Sequence, residues 1–325
     1  MAAKERAESL ADLGEFAVID RLVRGRAQPA TVVVGPGDDA AVVSAADGRT
    51  VVSTDMLVEG SHFRLDWSAP RDVGRKAIAQ NAADIEAMGA VPTSFVVAFG
   101  APGDTAAEDV TALFDGMWQE AGAIGASIVG GDLVSAPQWV ISVTALGDLG
   151  GCEAVLLSRA RPGDTLAVVG DIGWSAAGYA LLLNDIRDFE ELRGRHLVPA
   201  PPYGQGRVAA DAGATSMTDV SDGLFADLGH IARASDVGID LSWDALGSDH
   251  DALSSAATVL KMDPWVWVLA GGEDHALVAS FPGPLPVGWR AIGRVIDGPS
   301  RVLLDGERWH GDTGWQSFER PSTLG

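Results

Sequence analysis

The stretch Ser216-Met217-Thr218-Asp219-Val220-Ser221-Asp222-Gly223-Leu224 joins a predicted strand, 216–219, to a predicted helix that begins near Leu224. Asp219 and Ser221 fall on one face of the strand end, because side chains alternate along an extended chain. Asp222 is placed to cap the helix, but a capping role does not explain all three polar residues. The stretch therefore predicts a strand–turn–helix unit whose turn presents oxygen ligands.

Further segments combine acidic residues with glycine or a hydroxyl residue at predicted strand ends and turns. They are Gly37-Asp38-Asp39, Ser53-Thr54-Asp55, Gly130-Gly131-Asp132 and Gly271-Gly272-Glu273-Asp274. Glycine lets the backbone turn sharply and approach a ligand closely, and hard cations prefer carboxylate and hydroxyl oxygens. A plain tight turn explains each segment by itself. If the segments converge, they form a multi-carboxylate site for Mg²⁺, which suits a polyanionic substrate such as a nucleotide.

A predicted helix at 71–89 carries Asn81 and Asp84 on one face, because residues three apart are neighbours on a helix. Their surroundings are small and apolar, with Ala82, Ala83 and Ala87 close by in the sequence. A carboxylate in such a place lies on a solvated helix edge or is buried beside a cation, because burial without a partner is costly. Asp84 is therefore a candidate metal ligand.

The 325-residue chain has a formal charge of −22, from 23 basic and 45 acidic side chains. This charge argues against non-specific binding to nucleic acid or to an anionic membrane, although bound Mg²⁺ could still attract an anionic substrate. The single cysteine, Cys152, cannot form an internal disulfide. Residues 1–10 lack an apolar signal core, and no apolar run approaches the roughly 18 residues of a membrane span. We expect a cytoplasmic protein with no nucleic-acid and no membrane partner.

Predicted strands and long helices alternate along the chain, which favours an α/β or layered α+β fold with helices covering a sheet. The N-terminal half combines β-rich runs between residues 31 and 53 with helices at 71–89 and 106–124. The stretch Asp148-Leu149-Gly150-Gly151 marks the predicted boundary. We therefore expect two domains, at 1–149 and 150–325.

A dinucleotide-binding motif is suggested by Gly35-Pro36-Gly37-Asp38-Asp39-Ala40, which fits G-x-G-x-x-A and precedes Asp55 by about 20 residues. That fingerprint requires a helix to begin within the motif, but the residues that follow read as strands. Asp38 and Asp39 would also face a pyrophosphate with like charge, and Pro36 lacks an amide hydrogen. We reject this interpretation.

Lysine is scarce in this chain. Lys4, Lys76 and Lys261 lie outside any G-x-x-x-x-G-K-[ST] loop, and the protein-kinase motifs V-A-I-K, H-R-D and D-F-G are not present in the sequence. A nucleotide bound by this chain would therefore receive most of its compensating positive charge from metal ions, which the acidic segments would hold.

Longer segments match one known family, in order, along nearly the whole chain. They are Gly14-Glu15-Phe16, Gly35-Pro36-Gly37-Asp38-Asp39-Ala40-Ala41, Ser53-Thr54-Asp55-Met56-Leu57-Val58-Glu59-Gly60-Ser61-His62-Phe63, Asn81-Ala82-Ala83-Asp84-Ile85-Glu86-Ala87-Met88-Gly89-Ala90, Gly130-Gly131-Asp132, Asp219-Val220-Ser221-Asp222-Gly223-Leu224, Gly271-Gly272-Glu273-Asp274-His275 and Gly314-Trp315-Gln316-Ser317-Phe318. On these motifs the chain resembles the thiamine-monophosphate kinase family, of the aminoimidazole-ribotide-synthetase-like superfamily.

The resemblance implies Mg²⁺-dependent transfer of the ATP γ-phosphoryl group directly to thiamine monophosphate, giving thiamine diphosphate and ADP. It also implies the two-domain architecture of aminoimidazole ribotide synthetase. In that architecture an N-terminal domain with a mixed sheet binds ATP and Mg²⁺ and forms a homodimer through its sheets. A C-terminal α/β domain completes the active site.

The resemblance further assigns roles to residues of this chain. Several Mg²⁺ ions are expected to bind Asp39, Ser53, Thr54, Asp55, Asp84, Asp132, Asp219 and Asp222, of which Asp84 and Asp222 are the catalytic candidates. ATP is expected to contact Gly131, Asp132 and Ser221. Thiamine monophosphate is expected to contact His62, Glu273 and Trp315.

The chain departs from the family at one expected ATP-phosphate contact. The family often has Arg-Ser-Gly-Ala before a Pro-Gly-Asp turn, whereas here Leu157-Ser158-Arg159-Ala160-Arg161 precedes Pro162-Gly163-Asp164. Aligned without gaps, Leu157 occupies the place of the arginine. Either Arg159 supplies the contact from a shifted position or the contact is missing, and we adopt Arg159 as the ATP-binding candidate.

The sequence leaves two alternatives open. Another ATP-dependent synthetase of the same superfamily would make a purine intermediate or selenophosphate, but the reactive Cys of selenophosphate synthetases has no counterpart in an N-terminal Gly-rich loop here. A non-catalytic divalent-metal-binding module would bind Mg²⁺ without turnover.

Overall fold

The computed structural model describes residues 8–13, 15–35 and 41–314. These residues form two compact units that divide between Ala154 and Val155, whereas the sequence predicts a boundary after residue 149. Two predicted site residues, Asp39 and Trp315, lie outside the described residues. Within the described ranges, no helix has both the length and the apolar character needed to cross a membrane.

The N-terminal unit contains short helices and strands before its main sheet. Its helices are α1 (Leu10–Leu13), α2 (Glu15–Val23), α3 (Pro70–Ala87) and α4 (Ala107–Ala123), and its strands are β1 (Val32–Val34), β2 (Val42–Val43), β3 (Val51–Val58), β4 (Val91–Ala101), β5 (Ser127–Ser135) and β6 (Val140–Asp148). Pro70 starts α3 because its fixed φ suits the first helical position. Gly89, with φ 73°, ends the helix in the left-handed conformation.

The main sheet of this unit has the strand order β3-β6-β4-β5, so β3 and β5 are its edges. β4 and β5 are parallel and the other pairs are antiparallel, which makes the sheet mixed, as predicted. The inner face is covered by α3 and α4 and buries residues such as Val97 and Val143. The opposite face, here called the outer face, exposes Val52, Met56, Val96 and Val134.

Helices α3 and α4 touch through their backbones at two glycines. A Cβ atom at Gly74 would lie 1.9 Å from the Leu113 carbonyl oxygen, and one at Gly116 would lie 2.0 Å from the Arg71 carbonyl oxygen. Both distances are far below van der Waals contact. Any larger residue at either position would therefore push the two helices apart.

The C-terminal unit begins with a short 3₁₀ helix, Leu157–Arg159. Its α-helices are α5 (Trp174–Leu183), α6 (Glu190–Leu197), α7 (Gln205–Asp211), α8 (Leu224–Ser235), α9 (Gly247–Leu260) and α10 (Pro264–Ala270), and its strands are β7 (Thr165–Val169), β8 (Ser216–Asp219), β9 (Gly238–Leu241), β10 (Leu277–Phe281), β11 (Arg290–Ile296) and β12 (Arg301–Leu304). Helices pack on the sheet around a core that includes Leu166, Leu228 and Ile239.

The six-stranded sheet of this unit has the order β12-β9-β11-β7-β10-β8. β12 is parallel to β9, and the other neighbouring strands are antiparallel. Both units therefore combine a mixed sheet with helices, which confirms the predicted fold class.

The structure corrects details of the sequence analysis. The sequence predicts strand ends at Ser53-Thr54-Asp55 and at Gly130-Gly131-Asp132, but β3 and β5 continue through these segments. In β5 the register shifts between the pairs Phe95–Ile128 and Val96–Gly130, which leaves one extra residue as a β-bulge. Helices α6, α9 and α10 have no counterpart in the sequence-based prediction.

We expect Gly74→Ala to destabilise the protein by about 1–3 kcal/mol, because the added Cβ overpacks the α3–α4 contact. The free energy of unfolding from urea denaturation measures the effect. Gly122→Ala is the control, since Gly122 lies on α4 with nothing within 4 Å of an added Cβ. The control should be neutral or stabilising by up to about 1 kcal/mol. Equal stability of both variants would contradict direct backbone contact.

Candidate functional site

The N-terminal unit brings three predicted ligands together where α3 packs on β3. The Ser53 hydroxyl donates to Oδ2 of Asp84 at 2.6 Å, and Gln80 Nε2 donates to Oδ2 of Asp55 at 3.3 Å. Ser53 and Asp55 are two apart on a strand, and Gln80 and Asp84 are four apart on a helix, so each pair shares a face. A hydroxyl and two carboxylates therefore lie on the same, inner side of the sheet.

Asn81 fixes the backbone beside these ligands. Its side chain is fully buried, with Oδ1 accepting from the Asp55 amide at 3.1 Å and Nδ2 donating to the Ala77 carbonyl at 2.9 Å. Both ends of the amide are thus satisfied, as burial requires. Asn81 ties α3 to β3 at the residue whose carboxylate is a predicted ligand.

Thr54 and Asp132, also predicted ligands, lie on the outer face instead. Thr54 Oγ1 donates to the Val143 carbonyl at 3.0 Å, and the strand registers align Asp132 with Met56 of the outer face. Asp132 is on the edge strand β5, about three strand spacings or ~14 Å from β3. Within one chain, the side chains of Thr54 and Asp132 are therefore apart from each other and from the side chain of Ser53.

Two predicted ATP contacts, Gly131 and Arg159, lie in different settings. Gly131 is inside β5, where an added Cβ would lie 2.0 Å from the Val97 carbonyl oxygen, so packing within the sheet already requires glycine. Arg159 is exposed on the 3₁₀ helix. Ser235 holds that helix, since its Oγ donates to the Leu157 carbonyl at 2.7 Å.

The predicted substrate residue His62 is exposed on the turn that follows β3. Its Nδ1 accepts a hydrogen bond from the Val58 amide at 3.0 Å, so the neutral ring carries its proton on Nε2. The buried Lys76 donates from Nζ to the His62 carbonyl at 3.1 Å. The turn is therefore anchored, and the Nε2–H group is the ring donor available to a ligand.

In the C-terminal unit, the turn between β8 and α8 wraps around one carboxylate. Oδ2 of Asp227 accepts hydrogen bonds from the amides of Ser221, Asp222 and Gly223 at 3.0, 3.1 and 3.0 Å. The capping role expected of Asp222 is wrong, because the N-cap is Gly223 and no side chain caps it. The side chain that accepts from the amides at the start of α8 is instead Asp227, from the first turn of that helix.

Asp227 belongs to a crowded group of carboxylates. Burial, with the nearby carboxylates of Asp219 and Asp222, raises the pKa of Asp227 to about 8, although its backbone hydrogen bonds oppose this. Ligand atoms of Asp222, Asp227 and His230 lie within 4.8 Å of one another. Carboxylates this close favour a proton or a cation between them.

The segment that carries Glu273 runs beside this turn. The amides of Glu273 and His275 donate to the carbonyls of Ser221 and Val220 at 2.8 and 2.9 Å. The buried His275 ring also places Nδ1 2.9 Å from Oδ2 of Asp219. A predicted substrate residue and the predicted ligands of the turn are therefore joined by one set of backbone hydrogen bonds.

Glu273 and its neighbour Asp274 are both anchored by α5 and α6. Oε2 of Glu273 lies 3.3 Å from His196 Nδ1, which is also 3.1 Å from Ser175 Oγ. Asp274 accepts from the amides of Gly173 and Ser175 at 2.5 and 2.7 Å, at the start of α5. Burial raises the pKa of Asp274 to about 7. These contacts fix the backbone of the predicted substrate residue.

Three supporting residues, Asp227, Gln80 and His275, are not among the candidates predicted from the sequence. Asp227 had a usable signal, because acids are favoured in the first turn of a helix. Gln80 lies one turn before Asp84 on the same helical face. No local signal indicates the pair of His275 and Asp219, whose partners are 56 positions apart.

Known proteins match both units of this chain. Residues 37–149 match the N-terminal domain of AIR synthase related proteins, and residues 161–304 match the C-terminal domain. The thiamine-monophosphate kinase of Mycobacterium tuberculosis (strain ATCC 25618 / H37Rv) is 71% identical over 317 residues, which cover 98% of this chain and 95% of that protein. The chain belongs to the thiamine-monophosphate kinase family.

Solved structures of thiamine-monophosphate kinases have the same fold. The enzyme from Stenotrophomonas maltophilia K279a superposes with a TM-score of 0.79 at 33% identity, covering 91% of this chain and 98% of that one. The structure of AaThiL complexed with AMPPCP and TMP gives a TM-score of 0.77 at 30% identity, covering 98% and 100%. The resemblance drawn from the sequence motifs is confirmed.

We expect Gly272→Ala to separate the two C-terminal segments, because its Cβ would lie 2.4 Å from the Ser221 carbonyl oxygen. The amide of Glu273, which bonds that oxygen, should lose protection from hydrogen exchange. Gly283→Ala is the control, since nothing lies within 4 Å of its added Cβ. Unchanged protection at Glu273 in the Gly272→Ala variant would refute the close approach.

Proposed function

We propose that this chain transfers the γ-phosphoryl group of ATP directly to thiamine monophosphate, giving thiamine diphosphate and ADP. The 71% identity to the M. tuberculosis thiamine-monophosphate kinase, over 98% of the chain, carries the proposal. The AaThiL complex with AMPPCP and TMP supports the substrate pair. An oxygen of the acceptor phosphate bonds to the γ-phosphorus while the bond from that phosphorus to the β,γ-bridging oxygen breaks, and ADP leaves.

The proposal includes several Mg²⁺ ions. Ser53, Asp55 and Asp84 in one unit, and Asp219 and Asp222 in the other, offer hydroxyl and carboxylate oxygens, which are the ligands this hard cation prefers. Asp84 and Asp222 are the catalytic candidates among them. When bound, Mg²⁺ offsets the repulsion between the two phosphate groups and orients them.

The side chains of the protein act by holding groups in place. The acceptor is a phosphate monoester whose oxygens are already nucleophilic, so no strong general base is needed and direct transfer is favoured over a phospho-enzyme. The Ser53 hydroxyl orients Asp84, and the His275 ring orients Asp219. ATP would contact Gly131, Asp132, Ser221 and Arg159.

Thiamine monophosphate would contact His62, Glu273 and Trp315. Nε2–H of His62 can donate to an anionic oxygen, and the carboxylate of Glu273 can accept from an amino group. A tryptophan can stack on the cationic thiazolium by cation–π attraction.

We propose that the reaction takes place in the cytoplasm. A chain with a single cysteine, which cannot form an internal disulfide, suits that reducing compartment.

We expect Asp84→Asn to lower kcat by about 100-fold or more, because the neutral amide is a poor ligand for Mg²⁺. The amide oxygen can still accept from Ser53, so the fold should persist. Thiamine diphosphate formed from ATP, Mg²⁺ and thiamine monophosphate is measured by chromatography.

The control is Glu108→Gln, which removes an exposed carboxylate from the first turn of α4 and should leave kcat unchanged. A wild-type-like kcat in Asp84→Asn would remove Asp84 from the metal site. Absence of thiamine diphosphate with the wild-type protein would overturn the proposed reaction and favour a synthetase or a metal-binding module.

We propose further that the protein is a homodimer through the outer face of its N-terminal sheet. Val52, Met56 and Val134 on this face are 57%, 53% and 56% exposed, and an apolar patch of this kind marks an interaction surface. Thr54 and Asp132 lie on the same face at opposite edges. Two-fold packing of two such faces can set Thr54 of one copy beside the partner's Asp132, which one chain alone cannot do.

Met56→Glu should convert the dimer to a monomer, because it buries an unpaired charge at the interface. Mass from light scattering after size exclusion measures the change. Val287→Glu, at a residue 96% exposed in the C-terminal unit, should keep the mass of the dimer. A monomeric wild-type protein, or a dimeric Met56→Glu variant, would rule out this interface.

A further inference from the structure

The backbone amides at the start of α8 are bound by a side chain of the same helix. The amides of Ser221, Asp222 and Gly223 converge on one point, and Oδ2 of Asp227 occupies that point at 3.0–3.1 Å. Convergent amides at the start of a helix ordinarily bind phosphate or another external anion. Here the chain supplies the acceptor itself, from a residue that is only 4% exposed.

The carbonyl side of the same turn is occupied as well. The Ser221 carbonyl accepts from the Glu273 amide at 2.8 Å, and the Val220 carbonyl accepts from the His275 amide at 2.9 Å. A Cβ at Gly223 would lie 2.7 Å from the Ala270 carbonyl oxygen. The backbone of the turn is therefore enclosed by its own protein.

The side chains of Ser221 and Asp222 are half-buried and thus reach solvent. With Asp219 they offer hydroxyl and carboxylate oxygens, and the amides at the positive end of the helix dipole are already bound by Asp227. The surface that a ligand would meet is therefore one of acceptors. Such a surface suits a cation and repels a bare phosphate.

We propose that Asp227 is a positioning residue that makes the start of α8 select a divalent cation over a phosphate. The inference rests on the proposed function in one respect, namely that Asp219 and Asp222 hold Mg²⁺. By engaging three amides, Asp227 sets the direction of the Ser221 and Asp222 side chains and removes the donors that a phosphate would use. Nucleotide is then recognised at this turn through its metal ion.

The test compares two affinities in the full-length protein: Mn²⁺ affinity by electron paramagnetic resonance, and the affinity for ATP in EDTA by calorimetry. Asp227→Ala should weaken Mn²⁺ binding by about tenfold or more and should strengthen binding of metal-free ATP, because three amides are released. Asp227→Asn keeps an acceptor oxygen at the same place and should retain most of the wild-type Mn²⁺ affinity. Glu190→Ala, which removes an exposed first-turn carboxylate of α6, is the control for net charge and should change neither affinity.

A further variant keeps the inference testable if Asp227→Ala does not fold. Asp227→Glu keeps a carboxyl group but moves the acceptor oxygen, so it should also weaken Mn²⁺ binding. Hydrogen exchange at the amides of residues 221–223 should accelerate in Asp227→Ala and Asp227→Glu.

The inference is overturned if Asp227→Ala leaves both affinities unchanged, or if Asp227→Asn loses Mn²⁺ as completely as Asp222→Asn, since Asp227 would then be a direct ligand. A wild-type protein that binds Mn²⁺ but forms no thiamine diphosphate would overturn the proposed reaction. In that case the two affinities would still decide the role of Asp227.

Discussion

A carboxylate buried in apolar surroundings costs several kcal/mol unless donors compensate it, and this constraint shapes the site in the C-terminal unit. Asp227 accepts hydrogen bonds from the amides at the start of α8, and Asp274 accepts from those at the start of α5. Each helix start is thereby closed to external anions. The oxygens that remain reachable belong to neighbouring side chains, which are the ones that the family resemblance assigns to metal and substrate.

The N-terminal unit holds its candidate ligands in a different way. Asp55 and Asp84 are only half-buried there, and side chains of one helix bond the strand: Gln80 donates to the Asp55 carboxylate, and Asn81 accepts from the Asp55 amide. In the C-terminal unit, the donors are backbone amides of the turn itself. The first arrangement places candidate ligands on a strand and a helix, whereas the second places them on a turn whose amides are bound by one carboxyl group.

The sequence predicts much of the fold and of the candidate site, and there are physical reasons why it does not predict the rest. Helices α3 and α4 are predicted because their patterns are long and periodic, and the acidic segments supply the candidate ligands. The continuation of β3 past Asp55 depends on pairing with β6, which no local pattern reveals. Alternation of side chains along that continued strand places Thr54 on the outer face, away from Ser53.

Helix α10 did carry a start signal, because Asp263 caps the Trp265 amide at 3.0 Å before Pro264. The pairing of His275 with Asp219, in contrast, comes only from the tertiary fold.

Helix α3 carries both the crowded glycine, Gly74, and the candidate ligand Asp84, separated by about 15 Å along a helix that rises 1.5 Å per residue. A stiff rod of this kind passes a shift at one end to the other. Mutations that loosen the packing of α3 on α4 would thus reduce turnover at temperatures where the chain is still folded. In a population under selection, heat-sensitive alleles should therefore gather along this helix, far from any substrate atom.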